Sequence, residues 1–173
     1  WKILNDKIYE IEKKFFSIIF LKIKSNSREV NKWSQPIISD HFISLNGFLI
    51  KKVNKTNHYL LNATQEPGLN DPKFTSSVSI KNYRKSITTK KIKFINFLNK
   101  KNVLKFVNSD EGGRFYKNET HNIISIISEK DNISLPKNFI WASHNQVVDL
   151  IKKNLLTIEA RNLFASFNID KIH

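Results

Sequence analysis

Cysteine and methionine are absent from the 173 residues, glycine and proline number four each, and basic residues outnumber acidic ones 29 to 15. Without Cys there is no disulfide framework, no thiolate metal site and no cysteine nucleophile, which suits a reducing compartment. Without Met, a chain that begins at Trp1 reads as a trimmed version of a longer product. So few glycines leave no Gly-x-x-x-x-Gly-Lys-Ser loop to cradle phosphates, and no Gly-x-Ser-x-Gly elbow carries a nucleophile. The histidines, His41, His58, His121, His144 and His173, have no ligand-type spacing, so no metal is expected. The longest apolar run, over 15–21, is broken by Ser17 and falls far short of the roughly 20 residues that cross a bilayer. No small-residue cleavage site follows it, as a signal peptide would require. These absences predict one soluble cytoplasmic domain over 1–173, with no membrane partner.

The formal charge of +14 ordinarily raises nucleic acid as a partner. Here the only arginines are Arg28, Arg84, Arg114 and Arg161, and the lysines are scattered in pairs such as Lys51-Lys52 and Lys90-Lys91 with no long basic block. Abundant Lys, Asn and Ile are what AT-rich coding yields without selection for polyanions. Nucleic acid is therefore not expected, although anionic ligands such as nucleotide phosphates suit the balance.

Apolar periodicity predicts a buried strand over 15–23, an irregular stretch over 28–36 ending at Pro36, and a strand over 41–53 bent at Asn46-Gly47. A hairpin turn over 54–57 leads to a return strand over 58–63, and a loop through Pro72 leads to a strand over 76–80. A helix is expected over 90–99 and strands over 103–107 and 123–127. Ser143 caps a helix reaching Ile151, and Thr157 caps another reaching Phe167. The pattern is α/β (α+β), one mixed sheet with helices packed on it.

The densest chemistry lies in Ser109-Asp110-Glu111-Gly112-Gly113-Arg114-Phe115-Tyr116, where paired carboxylates, flexible backbone and a guanidinium meet as the strand pattern stops. Carboxylates serve proton transfer, Gly-Gly lets backbone approach a ligand, and Arg grips phosphate bidentately. The same octapeptide also reads as a hairpin turn with solvated charges.

Seven segments in order carry a resemblance: Phe15-Phe16-Ser17-Ile18-Ile19; Arg28-Glu29-Val30 through Trp33, Gln35 and Pro36; Leu45-x-Gly47-Phe48-Leu49; Glu66-Pro67-Gly68; Asn82-Tyr83; the Ser109 octapeptide; and Phe139-Ile140-Trp141. Over residues 12–168 the chain resembles the nucleoside-diphosphate-hexose 2,3-dehydratases of deoxysugar biosynthesis. The resemblance implies a Nudix-like α/β/α sandwich in which members carry two copies of the unit, and this chain has one. A homodimer would then stand in for the duplicated chain. The acidic Nudix hydrolase signature is missing after Arg28-Glu29-Val30, which disfavours metal-dependent pyrophosphate hydrolysis.

The implied reaction is a cofactor-free lyase reaction on a nucleoside-diphosphate sugar, thymidine-linked by the resemblance. Its implied catalytic candidates are Asp110, Glu111, Tyr83, Glu66 and His121. The implied substrate-binding set is Trp33, Gln35, Asn82, Arg114, Tyr116, Trp141 and Arg161. Each has an ordinary structural alternative: turn carboxylates, core or rim aromatics, a salt bridge for Arg114, and pairing of Arg161 with Glu159 or Asp170. The sequence departs from the family at Asn62, Thr64, Asp110-Glu111 and His121, so a related keto-sugar isomerase or epimerase and a non-catalytic sugar-nucleotide-binding subunit stay open.

Overall fold

Strands dominate because β-branched and aromatic residues recur at two-residue spacing along most of the chain. The computed structural model describes residues 1–4, 7–9, 11, 16–65, 68, 70–81, 94–98, 102–109, 114–128, 131 and 133–169. Its strands form two sheets. The smaller is an antiparallel meander of β1 (Lys2–Leu4), β2 (Lys7–Tyr9), β3 (Phe16–Lys24) and β4 (Lys32–Asp40), in that order.

The larger sheet runs β11-β6-β5-β10-β9, built from β5 (Ser44–Val53), β6 (Thr56–Thr64), β9 (Asn102–Ser109), β10 (Glu119–Ile127) and β11 (Phe139–Ser143). Two short strands join it: β7 (Lys73–Ser76) on β6 and β8 (Val78–Ile80) on β5. β10 runs parallel to β5 while the other pairings are antiparallel, so the sheet is mixed, as expected.

Helices cover both faces of the larger sheet. α1 (Ile95–Leu98) packs with Leu45, Leu49, Leu60, Val78 and Ile127 on one side. On the other, α2 (His144–Lys152) and α3 (Ile158–Ile169) cover Phe48, Ile50, Tyr59, Leu61 and Ile124. The α/β/α layering is thus realised in a mixed α+β architecture. Gly47 lets α1 seat on β5, because a Cβ there would lie 2.4 Å from Leu98 Cδ1.

Local signals account for the element ends. The hairpin between β5 and β6 turns through Asn54 (φ 49°) and Lys55 (φ 64°), the paired left-handed conformation of a two-residue hairpin loop. Ser143 accepts a hydrogen bond from Gln146 N while Gln146 Oε1 accepts one from Ser143 N at 2.8 Å, a reciprocal capping box. Thr157 Oγ1 accepts from Ala160 N at 3.3 Å and starts α3.

Three expectations are corrected. The segment expected to be irregular over 28–36 becomes β4 from Lys32 onward, because Pro36 sits on an edge strand where its missing N–H removes no ladder bond. The strand expected over 76–80 is two strands broken at Ser77, whose hydroxyl accepts from Leu49 N at 2.8 Å and donates to Leu60 O at 2.7 Å. Those bonds fill the fork where β5 and β6 part. The single expected sheet is accompanied by the β1–β4 meander, and Phe139–Ser143, left without an assigned element by the sequence reading, pairs with β6.

Candidate active site

The two sheets meet at one end of β4. Ile38 N donates to Arg114 O at 2.7 Å and Tyr116 N donates to Ile38 O at 2.8 Å, which stitches the Ser109 segment's last residues to the smaller sheet. Beside this bridge lies a cleft of about 400 Å³, within the range of small-molecule sites. Its walls carry Phe16 and Ile38 from the smaller sheet, with Phe115; its floor carries Ser44, Asn46, Ser79 and Thr120 from the larger one. Asn118 and Lys81 also line it, and two carboxylates enter from different layers, Asp40 from the end of β4 and Glu159 from the first turn of α3.

The polar floor follows from sequence and register together. In β5, Ser44, Asn46, Phe48 and Ile50 share one face, and in β10, Thr120, Asn122, Ile124 and Ile126 share the same one. The parallel register places Thr120 beside Ser44, Asn122 beside Asn46, and Ile124 beside Phe48. The face therefore changes from polar to apolar at the same level in both central strands. Its apolar half lies under α2 and α3, while its polar half opens to the cleft.

Asn46, 4% exposed, lines the cleft floor. Its side-chain amide offers donors and an acceptor suited to a ligand hydroxyl or carbonyl. Asn122, 3% exposed, spends one donor on Thr120 O at 3.1 Å within its own strand.

The residues expected from sequence fall in several places. Asp110, Glu111, Tyr83, Glu66 and Asn82 lie outside the described residues. Arg114 and Tyr116 are exposed and flank Phe115, which lies in the cleft wall, so both stand beside the cleft without lining it. His121 is exposed and follows Thr120, which places it on the α1 side of the sheet, opposite the cleft floor. Trp141 is half-buried on that same side, with Lys51 Nζ 4.4 Å from its ring centroid. Arg161 is half-buried on α3 two residues beyond Glu159, a spacing that puts the two on different helix faces.

Trp33 and Gln35 share a face near the far end of β4, where Trp33 Nε1 donates to Gln35 Oε1 at 2.8 Å. The Arg28 guanidinium lies 6.0 Å from the Trp33 ring centroid. Trp33 borders two open recesses, one with Lys22, Lys24 and Lys32 and one with Arg28 and Glu29. From Trp33 to Ile38 the strand spans about 17 Å at its usual rise, so this aromatic and cationic patch is separate from the cleft. Asp40, Asn46, Asn118 and Glu159 were not singled out as site residues by sequence reasoning. The available signal was Ser44-x-Asn46 preceding Phe48-x-Ile50, polar residues on the inward face of an otherwise buried strand.

Two solved structures resemble the fold at low sequence identity. One is a C. elegans Ap4A hydrolase, 9% identical with a TM-score of 0.48, covering 74% of this chain and 96% of that one. The other is the NUDIX domain of Shewanella oneidensis NrtR complexed with ADP ribose, 11% identical with a TM-score of 0.45, covering 76% of this chain and 88% of that one. The site is accordingly built from this chain's own geometry.

Among curated proteins, the chain is similar to dTDP-4-dehydro-6-deoxy-alpha-D-glucopyranose 2,3-dehydratases of three bacteria. Identity is 26% to that of Saccharopolyspora spinosa, over 97% of this chain and 36% of the relative. It is 23% to that of Amycolatopsis orientalis, over 97% and 37%, and 25% to that of Streptomyces violaceoruber, over 88% and 35%. The chain thus spans little more than a third of the length of the curated relatives it matches. The family profile for NDP-hexose 2,3-dehydratase matches residues 1–167, nearly the whole sequence, and the chain belongs to the NDP-hexose 2,3-dehydratase family.

Proposed function

We propose that this chain acts as a nucleotide-sugar 2,3-dehydratase, binding a nucleoside-diphosphate-linked 4-keto-6-deoxyhexose with its sugar in the cleft between the two sheets. The family match over 1–167 supports the reaction class, and the observation that carries the location is the polar floor of Ser44, Asn46 and Thr120 beneath a cavity of about 400 Å³. The named relatives act on a dTDP-linked 4-dehydro-6-deoxyglucose, which makes a thymidine-linked sugar the first substrate to offer.

The chemistry follows from the substrate. The C4 carbonyl acidifies the C3 proton, so a base removes it and the electron pair forms a C3–C4 enolate. An amide N–H at the C4 oxygen, from Asn46 in this reading, stabilises that charge. The enolate then re-forms the carbonyl and expels the C2 hydroxyl, which leaves as water after taking a proton from an acid. The resulting C2–C3 enol tautomerises to the 3,4-diketo sugar. No external electron acceptor enters the balance, so the reaction is read as a carbon–oxygen lyase step needing no nicotinamide, and it is proposed to run without metal.

Arg114 and Tyr116, beside the cleft, are proposed to meet the diphosphate, and Trp33 with Gln35 and Arg28 to offer an aromatic, cationic surface for a nucleotide. A second copy of the chain is proposed as its partner. The exposed apolar residues of the small sheet support this, with Ile3 78%, Leu4 61% and Phe20 47% exposed. A cytoplasmic setting suits a chain without Cys, and among the described residues no helix is long and apolar enough to cross a membrane.

The test is incubation of the purified chain with thymidine-diphosphate-linked 4-keto-6-deoxyglucose in deuterated water, without added metal or nicotinamide, followed by NMR and mass spectrometry. Loss of water with deuterium entering C2 is expected. Exchange at C3 without elimination would replace this reading with an isomerase or epimerase. Binding without exchange would replace it with a non-catalytic subunit.

A further inference from the structure

Resting on that reading, we infer that Lys81 is the cation that holds the diphosphate at the mouth of the cleft, so that the hexose enters with its C4 carbonyl leading. β8 runs antiparallel to β5, with Asn46 opposite Ser79 and Leu45 opposite Ile80. Carrying that register on by one residue brings Lys81 to the level of Ser44, and alternation puts it on the face of Ser79 and Asn46. Lys81, Ser44, Ser79 and Asn46 all line the one cavity.

The strand registers arrange this floor in two polar rows. Thr120, Ser44 and Lys81 form the outer row, and Asn122, Asn46 and Ser79 the inner one, ahead of Ile124 and Phe48 beneath α2 and α3. Exposure falls in the same direction along the two central strands. Ser44 and Thr120 are half-buried, while Asn46 and Asn122 are 4% and 3% exposed. Lys81 is itself exposed. Among the described residues lining the cavity it is the one basic side chain, and the two acidic ones, Asp40 and Glu159, are half-buried.

A nucleoside-diphosphate hexose carries its charge at one end. The diphosphate joins the ring at C1, and the C4 oxygen lies across the ring from it. Same-face neighbours stand about 7 Å apart along a strand, a step that one pyranose ring and its end oxygens fill. With the diphosphate on the Lys81 ammonium, the uncharged ring reaches the inner row, where the Asn46 amide meets the C4 oxygen. The reverse entry would place the phosphate charges among Asp40 and Glu159 with no cation to offset them, and like charges repel strongly away from water. A lysine suits this rim, since its ammonium is a point charge on a flexible stem that can follow the phosphates as the sugar seats. Arg114 stands beside the cleft without lining it, which makes it the secondary contact.

The experiment compares wild type with Lys81→Met, Lys81→Arg and Arg114→Gln. Calorimetry measures binding of thymidine diphosphate, the deuterium assay gives kcat and KM for the keto-sugar substrate, and urea denaturation reports folding. Lys81→Met should weaken thymidine diphosphate binding by about 10- to 100-fold, the usual weight of a hydrogen bond to a charged group, and raise KM by a similar factor. Its kcat should stay within about threefold of wild type, because the diphosphate is held equally in the ground and transition states. Lys81→Arg should restore binding to within about threefold of wild type, and Arg114→Gln should lose less than Lys81→Met. Thymidine diphosphate binding by Lys81→Met within about threefold of wild type overturns the assignment, as does a fall in kcat with KM unchanged. A lower urea midpoint in Lys81→Met, with binding that Lys81→Arg does not restore, also overturns it and marks an ion pair with Asp40 or Glu159. A wild type that binds thymidine diphosphate without turning over the sugar loses the dehydratase reading alone, since the binding series still decides the role of Lys81. A wild type that binds neither ligand loses both.

Discussion

Replacing Gly47 by Ala tests whether α1 is held on the sheet by one close approach. The added Cβ would lie 2.4 Å from Leu98 Cδ1, 2.7 Å from Cδ2 and 3.1 Å from Cγ. Carbon atoms pack best at about 3.5–4.0 Å, so the leucine would have to retreat by about 1 Å. It has little room, being 0% exposed among Leu49, Val78, Phe94 and Ile95, and the α1 terminus is tethered by Ser125 Oγ donating to Leu98 O at 2.9 Å. Overpacking of this kind costs about 1–3 kcal/mol. Gly47 does not sit at positive φ, so losing glycine's unfolded-state freedom returns about 0.4–1 kcal/mol, leaving a net loss of about 1–2 kcal/mol.

The decisive comparison is a double-mutant cycle with Leu98→Ala, which alone should cost about 2–5 kcal/mol through the cavity it leaves. With Leu98 truncated, the new methyl at position 47 enters vacated space, so Gly47→Ala becomes neutral or stabilising. The coupling should favour the double variant by about 1–2 kcal/mol. Urea denaturation followed by tryptophan fluorescence reads all four corners. Costs that add within about 0.5 kcal/mol would refute the contact.

Ser77→Ala should destabilise the chain by about 2–4 kcal/mol, because it orphans both Leu49 N–H and Leu60 C=O in a buried fork; a shift in urea midpoint below that of a surface Ser→Ala control would contradict it. Lys55→Gly should raise stability by about 1 kcal/mol, since a lysine at φ 64° bears a left-handed strain that glycine escapes. Thermal denaturation should show a higher midpoint for it. Ser143→Ala should lose about 1 kcal/mol by opening the capping box of α2, and calorimetry should find that loss absent when Gln146 is already Ala if the two residues act as one cap.

Legibility followed the range of the interactions. The strands at 15–23, 58–63 and 103–107, the hairpin after Val53 and the starts of α2 and α3 were readable because two-residue alternation, Asn-Lys turns and Ser or Thr caps act within a few residues. β4 was misread because the proline rule is local, while its exception depends on the strand being at an edge. The break at Ser77 was hidden for a similar reason: its hydroxyl serves two strands distant in sequence. Of the expected site residues, Arg114 and Tyr116 lie beside the cleft, His121 and Trp141 on the sheet's other face, and Trp33 with Gln35 at the far end of β4.

The sequence by itself determined the family and the local vocabulary of strands and caps. Seven ordered segments carried the resemblance, and local periodicity carried the elements, because both are written in neighbouring residues. Tertiary structure decided which polar groups share a cavity. The parallel register of β5 and β10 brings Asn46 and Thr120 to one floor, the Ile38–Phe115 bridge draws β4 to its side, and α3 brings Glu159 to the cavity that Asp40 also lines. Each of these contacts joins residues far apart in the chain, and their closeness follows from how the sheets and helix pack.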